Sequence, residues 1–255
     1  MATTNSDKAW TAYGKKDPYY GVLTHAEYKD ENLTEEALQR FFQSGEEYIS
    51  KLFSLINKHF DEDFKPKNAL DFGCGTGRLS IPLAQRADKV VGIDVSQDML
   101  SEATKNAEKF KLKNVEFKLS DDELSQVKGQ TFDLVNSYIV LQHINVERGM
   151  QIIAKMLKIL KPGGIGALQI TYSSNKLRTN KIATYLRYRI PLVHGILNLL
   201  KGAPYSKPLM QMNLYDMNAV LHVLQQNEVE NTNLKFEDHG DFWSANLVFQ
   251  KKARN

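Results

Sequence analysis

The stretch ALDFGCGTGRLSIPLA, Ala69 to Ala84, constrains the chain more than any other. An apolar run ending in Asp71 and Phe72 gives way to three glycines at alternate positions, Gly73, Gly75 and Gly77. Glycine adopts positive φ at no steric cost and, lacking Cβ, lets a ligand touch the main chain. A glycine-rich turn leading from a buried strand into a helix is where an open α/β sheet binds its ligand. The next strand, VVGID, ends in Asp94, about 23 residues after Asp71. A carboxylate there can accept both hydroxyls of a ribose. Bare backbone and a ribose acceptor together imply a nucleoside-containing ligand. The dinucleotide fingerprint G-x-G-x-x-G needs a glycine where this chain has Arg78. The pattern is instead D-x-G-x-G-x-G. Asp71 sets a negative charge beside the loop, which disfavours a pyrophosphate and favours an ammonium or sulfonium group.

Around the loop, strand and helix alternate. TEEALQRFFQSGEEYISKLFSLINKHF reads as a helix with Thr34 as N-cap and an apolar face of Leu38, Phe41, Phe42, Ile49, Leu52, Phe53 and Ile56; Gly45 is a blemish in it or a break. NALDFG, KVVGIDV, NVEFKL, TFDLVNSYIV and IGALQITY read as strands, the last following the turn Lys161 to Gly164. RLSIPLAQRA, SQDMLSEATKNAEKF and RGMQIIAKMLKIL read as the intervening helices, with Ser96 as the N-cap of the second. After a long insert, MNLYDMNAVLHVLQQNEV reads as helix, and TNLKFEDHG and FWSANLVFQKK as a closing hairpin. The first 30 or so residues read as irregular and aromatic. The expectation is one α/β domain over residues 1–255: a doubly wound, mostly parallel seven-stranded sheet with an antiparallel C-terminal hairpin. An N-terminal helical cap covers residues 1–60 and a helical lid follows the fifth strand over 173–210.

Composition bounds the setting. Hydrophobic residues make up 42% of the 255, enough for a core. No apolar stretch approaches the roughly 20 residues of a membrane span, and MATTNSDKAW lacks an apolar signal core. One cysteine, Cys74, excludes an internal disulfide, and a reducing cytoplasm is the expected compartment. The six histidines show no metal-ligand spacing, so no metal is expected. Net charge is +3, yet Arg148 to Tyr215 holds about 11 Lys and Arg with no acid, leaving about −8 for the rest.

Five stretches, in order and at familiar spacing, resemble the class I S-adenosylmethionine-dependent methyltransferases: LDFGCGTGRL, VVGIDVSQDML, VEFKLSDDEL, FDLVNSYIVLQHI and LKPGGIGAL. They span roughly Asn68 to Tyr172. The resemblance implies S-adenosylmethionine as cofactor, with Asp71, Gly73, Gly75 and Gly77 at its methionine end and Asp94 on the ribose. It implies Val95 and Met99 against adenine, Asp121 or Asp122 at the adenine amino group, and Asn136 and Ser137 beside the sulfur. Many members carry Gly-Asp where this chain has Ser120-Asp121, which leaves open which acid reaches adenine.

Methyl transfer from a sulfonium is an in-line displacement, which needs positioning and exclusion of water. A base is needed only where the nucleophile must lose a proton. His143 is the candidate base, since histidine titrates near neutrality; a purely structural histidine is the alternative. Tyr138 and Gln142 are candidates for orienting the acceptor, and Tyr13 and Tyr20 for an aromatic wall. The basic insert KLRTNKIATYLRYRIPLVHGILNLLKG offers Arg187 and Arg189 to an anionic acceptor. A packing or dimer face, and an interfacial helix on acidic lipid, are the alternatives to that lid. Cations interleaved with aliphatics disfavour nucleic acid. The expected acceptor is a small molecule, anionic or aromatic, methylated on oxygen or nitrogen. The alternatives are a peptide, protein or RNA acceptor, or a module that binds the cofactor without turnover.

Overall fold

The structure, a computed structural model, describes residues 5–175, 191–200, 202, 204–205 and 207–253. Among them seven strands form one sheet: β1 Asn68–Phe72, β2 Lys89–Asp94, β3 Val115–Leu119, β4 Phe132–Ser137, β5 Leu160–Ser174, β6 Val229–Asp238 and β7 Phe242–Lys251. Their order is β3-β2-β1-β4-β5-β7-β6. The strands β1 to β5 are parallel, and β7 runs antiparallel between β5 and β6. Strand order reverses at β1 and β4, so a crevice opens beyond their carboxyl ends.

Neighbouring residues of β1 serve opposite faces, as strand geometry dictates. Ala69 joins Ile49, Leu52 and Ile56 of α3 (Glu35–His59) on one face. Leu70 joins Ile152, Ile153 and Met156 of α6 (Val146–Ile159) and Val220 and Leu224 of α8 (Met217–Gln226) on the other. Between these helices in the chain lie α4 (Ser80–Ala84), α5 (Gln97–Lys109) and α7 (Pro191–Leu200). Along α3, Phe41, Gly45, Ile49, Leu52 and Ile56 are buried at three- and four-residue spacing. Thr34 caps it, its hydroxyl accepting from the Ala37 amide at 3.2 Å. Thr34→Ala is expected to cost about 1 kcal/mol in a denaturation midpoint; no change would mean that tertiary packing alone sets the helix start.

Gly45 is no break. A Cβ there would lie 2.2 Å from the Arg78 carbonyl oxygen. Pro82 has no N–H to offer that carbonyl four residues back, so α4 is one short turn and the free carbonyl meets the bare Cα of α3.

Three elements depart from the sequence expectation. The N-terminal residues are helical, as α1 (Asn5–Lys16) and α2 (Pro18–Val22), not irregular. The fourth strand stops at Ser137 rather than Val140, because Ile139 adopts φ 62° with its N–H donated to Gln169 Oε1 at 2.9 Å. A β-branched residue in that region is strained, and such strain collects at functional sites. The fifth strand already begins at Leu160, absorbing the Lys161 to Gly164 turn with a shift of register against β4. Beyond it, α7 leaves Leu192, Ile196, Leu199 and Leu200 exposed. Among the described residues no helix is long and apolar enough to cross a membrane.

Candidate active site

A cavity of about 810 Å³, its open mouth included, lies at the carboxyl ends of β1 to β4. Its floor is the glycine loop. Gly73 and Gly75, at φ 75° and 52°, line it. A Cβ on either would strike a side chain, Val140 at 2.4 Å or Val22 at 2.6 Å. Gly77 needs its glycine for φ 86° but faces Ala103 and Phe117 instead of the cavity.

Asp94, at the end of β2, lines the cavity and holds the loop. Its Oδ2 accepts from the Gly75 amide and its Oδ1 from the Ser96 amide, both at 3.0 Å. Burial pushes the carboxyl up to about 6, although these amides favour the charged form. Val95 and Met99 line the same wall, as do Asp121 and Asp122. Asp121 Oδ1 accepts from the amides of Glu123 and Ser125. Asp122 pairs with Arg148 at 2.6 Å, and Arg148 with Asp7 of α1 at 2.7 Å. This triad ties the N-terminal helix across the loop after β3.

Asp71 and Asn136 lie beneath the loop, buried and off the cavity surface. Asp71 accepts from the Ser80 hydroxyl at 2.6 Å and from Asn136 Nδ2 at 3.0 Å, and Tyr48 donates to Asn136 Oδ1 at 3.1 Å. Burial beneath the glycines raises the carboxyl above its usual range, and the Ser80 and Asn136 donors oppose that shift by favouring the charged form. Ser137 is buried, its hydroxyl has no partner among the described residues, and it is not in the cavity wall.

His143 lines the cavity, but the expectation of a base titrating near neutrality is corrected. Burial pushes its imidazole down to about 4. Its Nδ1 lies 2.8 Å from the Gln211 carbonyl, which can only accept, so Nδ1 carries the proton. The Gln142 amide nitrogen lies 3.4 Å from Nε2. Gln142 itself is corrected as an acceptor-orienting group. Its Oε1 accepts from the Thr171 hydroxyl at 2.9 Å, and it is not in the cavity wall. Tyr138 does line the cavity, its ring 4.0 Å from that of Tyr48, and burial pushes its phenol up to about 12.

Tyr13 and Tyr20, the aromatics expected to wall the acceptor, are absent from the described lining of this cavity. Tyr13 is buried, its hydroxyl donating to the Pro208 carbonyl, and the ammonium groups of Lys29 and Lys207 lie 6.0 and 5.9 Å from the Tyr20 ring centroid. Neither lines the cavity. Trp10 does, edge-on to His143 with ring centroids 4.8 Å apart, and Ser6 donates to the His143 carbonyl at 2.7 Å. Arg148 has no local motif to mark it; Arg78, which also lines the cavity, is visible in the sequence only as a missing glycine. Arg187 and Arg189 lie outside the described residues. The segment after the insert, Gln211 to Tyr215, packs on the turn that carries His143: Asn213 N donates to the Gln142 carbonyl and the Tyr215 hydroxyl to those of Leu141 and Ile144.

Residues 69–164 match the family model of a methyltransferase domain. A ubiquinone biosynthesis O-methyltransferase of Coxiella burnetii is 30% identical over 146 residues, 53% of this chain and 61% of that one, so the match spans less than two thirds of that relative. Another, of Roseobacter denitrificans, is 30% identical over 199 residues, 75% of each chain. A magnesium protoporphyrin IX methyltransferase from Synechocystis, solved with S-adenosylmethionine bound, shares the fold with a TM-score of 0.64 over 99% of both chains at 17% identity. The chain belongs to the class I S-adenosylmethionine-dependent methyltransferases.

Proposed function

We propose that the chain transfers a methyl group from S-adenosylmethionine to an oxygen or nitrogen of a small-molecule acceptor. The observation that carries this reading is the cavity beyond β1 and β4, with Gly73 and Gly75 as its floor and Asp94 in its wall. The residues present fit the cofactor. Asp94 would accept the ribose hydroxyls, and Val95 and Met99 would flank adenine beside Asp121 and Asp122. Gly73 and Gly75 would give the methionine end close access to the main chain, over the negative charge of Asp71. When bound, S-adenosylmethionine supplies an electrophilic methyl group on a sulfonium.

The chain's part is positioning. Trp10 and α1 close one side of the cavity and exclude water. His143, neutral at pH 7, and Tyr138, held near 12, are assigned to shaping the acceptor site instead of removing a proton. The acceptor is then a nucleophile that needs no strong base, such as an amine or an acidic hydroxyl. The small-molecule names of the relatives, ubiquinone biosynthesis among them, support that class. A cavity closed over by α1 favours it above a peptide, protein or RNA. The test is incubation with methyl-labelled S-adenosylmethionine and separate pools of hydroxylated aromatics, amines, peptides and RNA. Label in a small-molecule pool supports the reading, and label confined to peptide or RNA contradicts it.

Asp94 adds a pH dependence. Its raised carboxyl carries a proton below about pH 6 and cannot then accept from both hydroxyls. Cofactor binding needs the ionised form, so affinity is retained above pH 6 and lost as pH falls. Between pH 7 and 5 the loss is expected to be roughly tenfold, read by titration at each pH. A flat profile would mean that the carboxylate does not meet the ribose.

A further inference from the structure

Arg78 is 4% exposed and lines the cavity, yet it forms no ion pair among the described residues. Its Nη1 donates one long hydrogen bond, 3.3 Å, to the Ser44 hydroxyl. Among the described residues its Nε is buried with no partner, and Nη2 makes no hydrogen bond. The guanidinium carbon lies 5.9 Å from the Tyr138 ring. The one carboxylate that acts on it from nearby, Asp71, already spends both oxygens on Ser80 and Asn136. A buried cation left unpaired costs several kcal/mol in desolvation. A fold that keeps one at a cavity wall gains by it only when an anion arrives.

We infer that Arg78 is an anion-binding residue of the cavity, holding a carboxylate at the Nη2 end of its guanidinium. This deepens the proposed function and rests on it. The carboxylate has two possible sources: the amino-acid tail of the cofactor or an acidic group on the acceptor. The charges suit an amino-acid tail. The Asp71 carboxylate lies beneath the loop and Arg78 follows the loop, so a zwitterion would meet opposite charges. The chemistry is the same for an acidic acceptor.

The experiment compares wild type, Arg78→Met and Arg78→Lys by calorimetric titration with three probes. S-adenosylhomocysteine carries the amino-acid tail, 5′-methylthioadenosine lacks it, and benzoate is added to protein saturated with S-adenosylhomocysteine. The first expected pattern is an affinity for S-adenosylhomocysteine about 30-fold lower in Arg78→Met, with 5′-methylthioadenosine unchanged. That pattern assigns the carboxylate to the tail. Unchanged nucleosides with benzoate binding lost would assign it to the acceptor. Arg78→Lys keeps the charge but not the fork, so it should lose about tenfold on the same probe, and it serves if the Met variant does not fold. Thermal melting separates a structural role: removing an unpaired buried charge should leave the melting temperature equal or raised. A lowered melting temperature with all three probes unchanged overturns the inference and makes Arg78 a packing residue. Failure of wild type to bind either nucleoside overturns the proposed function and this inference with it.

Discussion

Asp94→Ala is expected to weaken S-adenosylmethionine binding about a hundredfold while the protein stays folded. The variant removes a carboxylate that would accept two ribose hydroxyls. Two charge-assisted hydrogen bonds at about 1.5 kcal/mol each give about 3 kcal/mol, or roughly two decades in Kd. The fold should survive because burial already opposes the charged form of Asp94. Two amides, of Gly75 and Ser96, lose an acceptor. Even so, Ser96 still caps α5 through the Met99 amide. Asp94→Asn separates charge from shape. It should lose most of the affinity and all of the dependence on pH between 5 and 7. Calorimetric titration of both variants reads this out, and an unchanged Kd in Asp94→Ala would remove Asp94 from the site.

Gly45→Ala carries the largest expected effect on stability. In an exposed helix interior this change gains about 1 kcal/mol. Here the added Cβ would lie 2.2 Å from the Arg78 carbonyl oxygen and 3.0 Å from its carbon. Those are backbone atoms and cannot rotate away. The helix must lift from the segment that follows the glycine loop, at a cost of about 3 kcal/mol. The expected result is therefore a destabilised protein where propensity alone predicts a stabilised one. A urea denaturation series measures the sign directly. Binding should weaken as well, since Arg78 lines the cavity. A gain in stability would mean that α3 is free to shift.

What could be read from the chain follows the range of the forces involved. The elements β1, β2, β3, α3 and α5 were legible because their signals are local: apolar runs, helical periodicity and the caps Thr34 and Ser96. The helix α1 was not. NSDKAWTAYGKK is weakly amphipathic, and long-range bonds hold it: Ser6 to the His143 carbonyl, Asp7 to Arg148, Trp10 against the His143 ring. The end of β4 was misplaced for a similar reason. NSYIV favours strand locally, but Gln169 of β5 pins Ile139 at positive φ. Gly45 looked like a flaw because its reason, the Arg78 carbonyl, lies 33 residues away in sequence.

The site divides in the same way. Gly73, Gly75, Asp94, Val95, Met99, Asp121 and Asp122 do meet in one cavity wall. Their spacing reflects strand ends that the fold always brings together. Acceptor-side expectations fared worse. His143 and Gln142 are adjacent on one turn, yet one faces the cavity and the other Thr171. No local pattern distinguishes them. Nor does a sequence carry the burial that takes the His143 imidazole to about 4.

The most direct test of the central claim is calorimetric titration of the purified protein with S-adenosylmethionine and, separately, with NAD. Micromolar binding of S-adenosylmethionine, weakening below pH 6, with no binding of NAD, is the expected result. Binding of NAD in preference, or of neither, would contradict it.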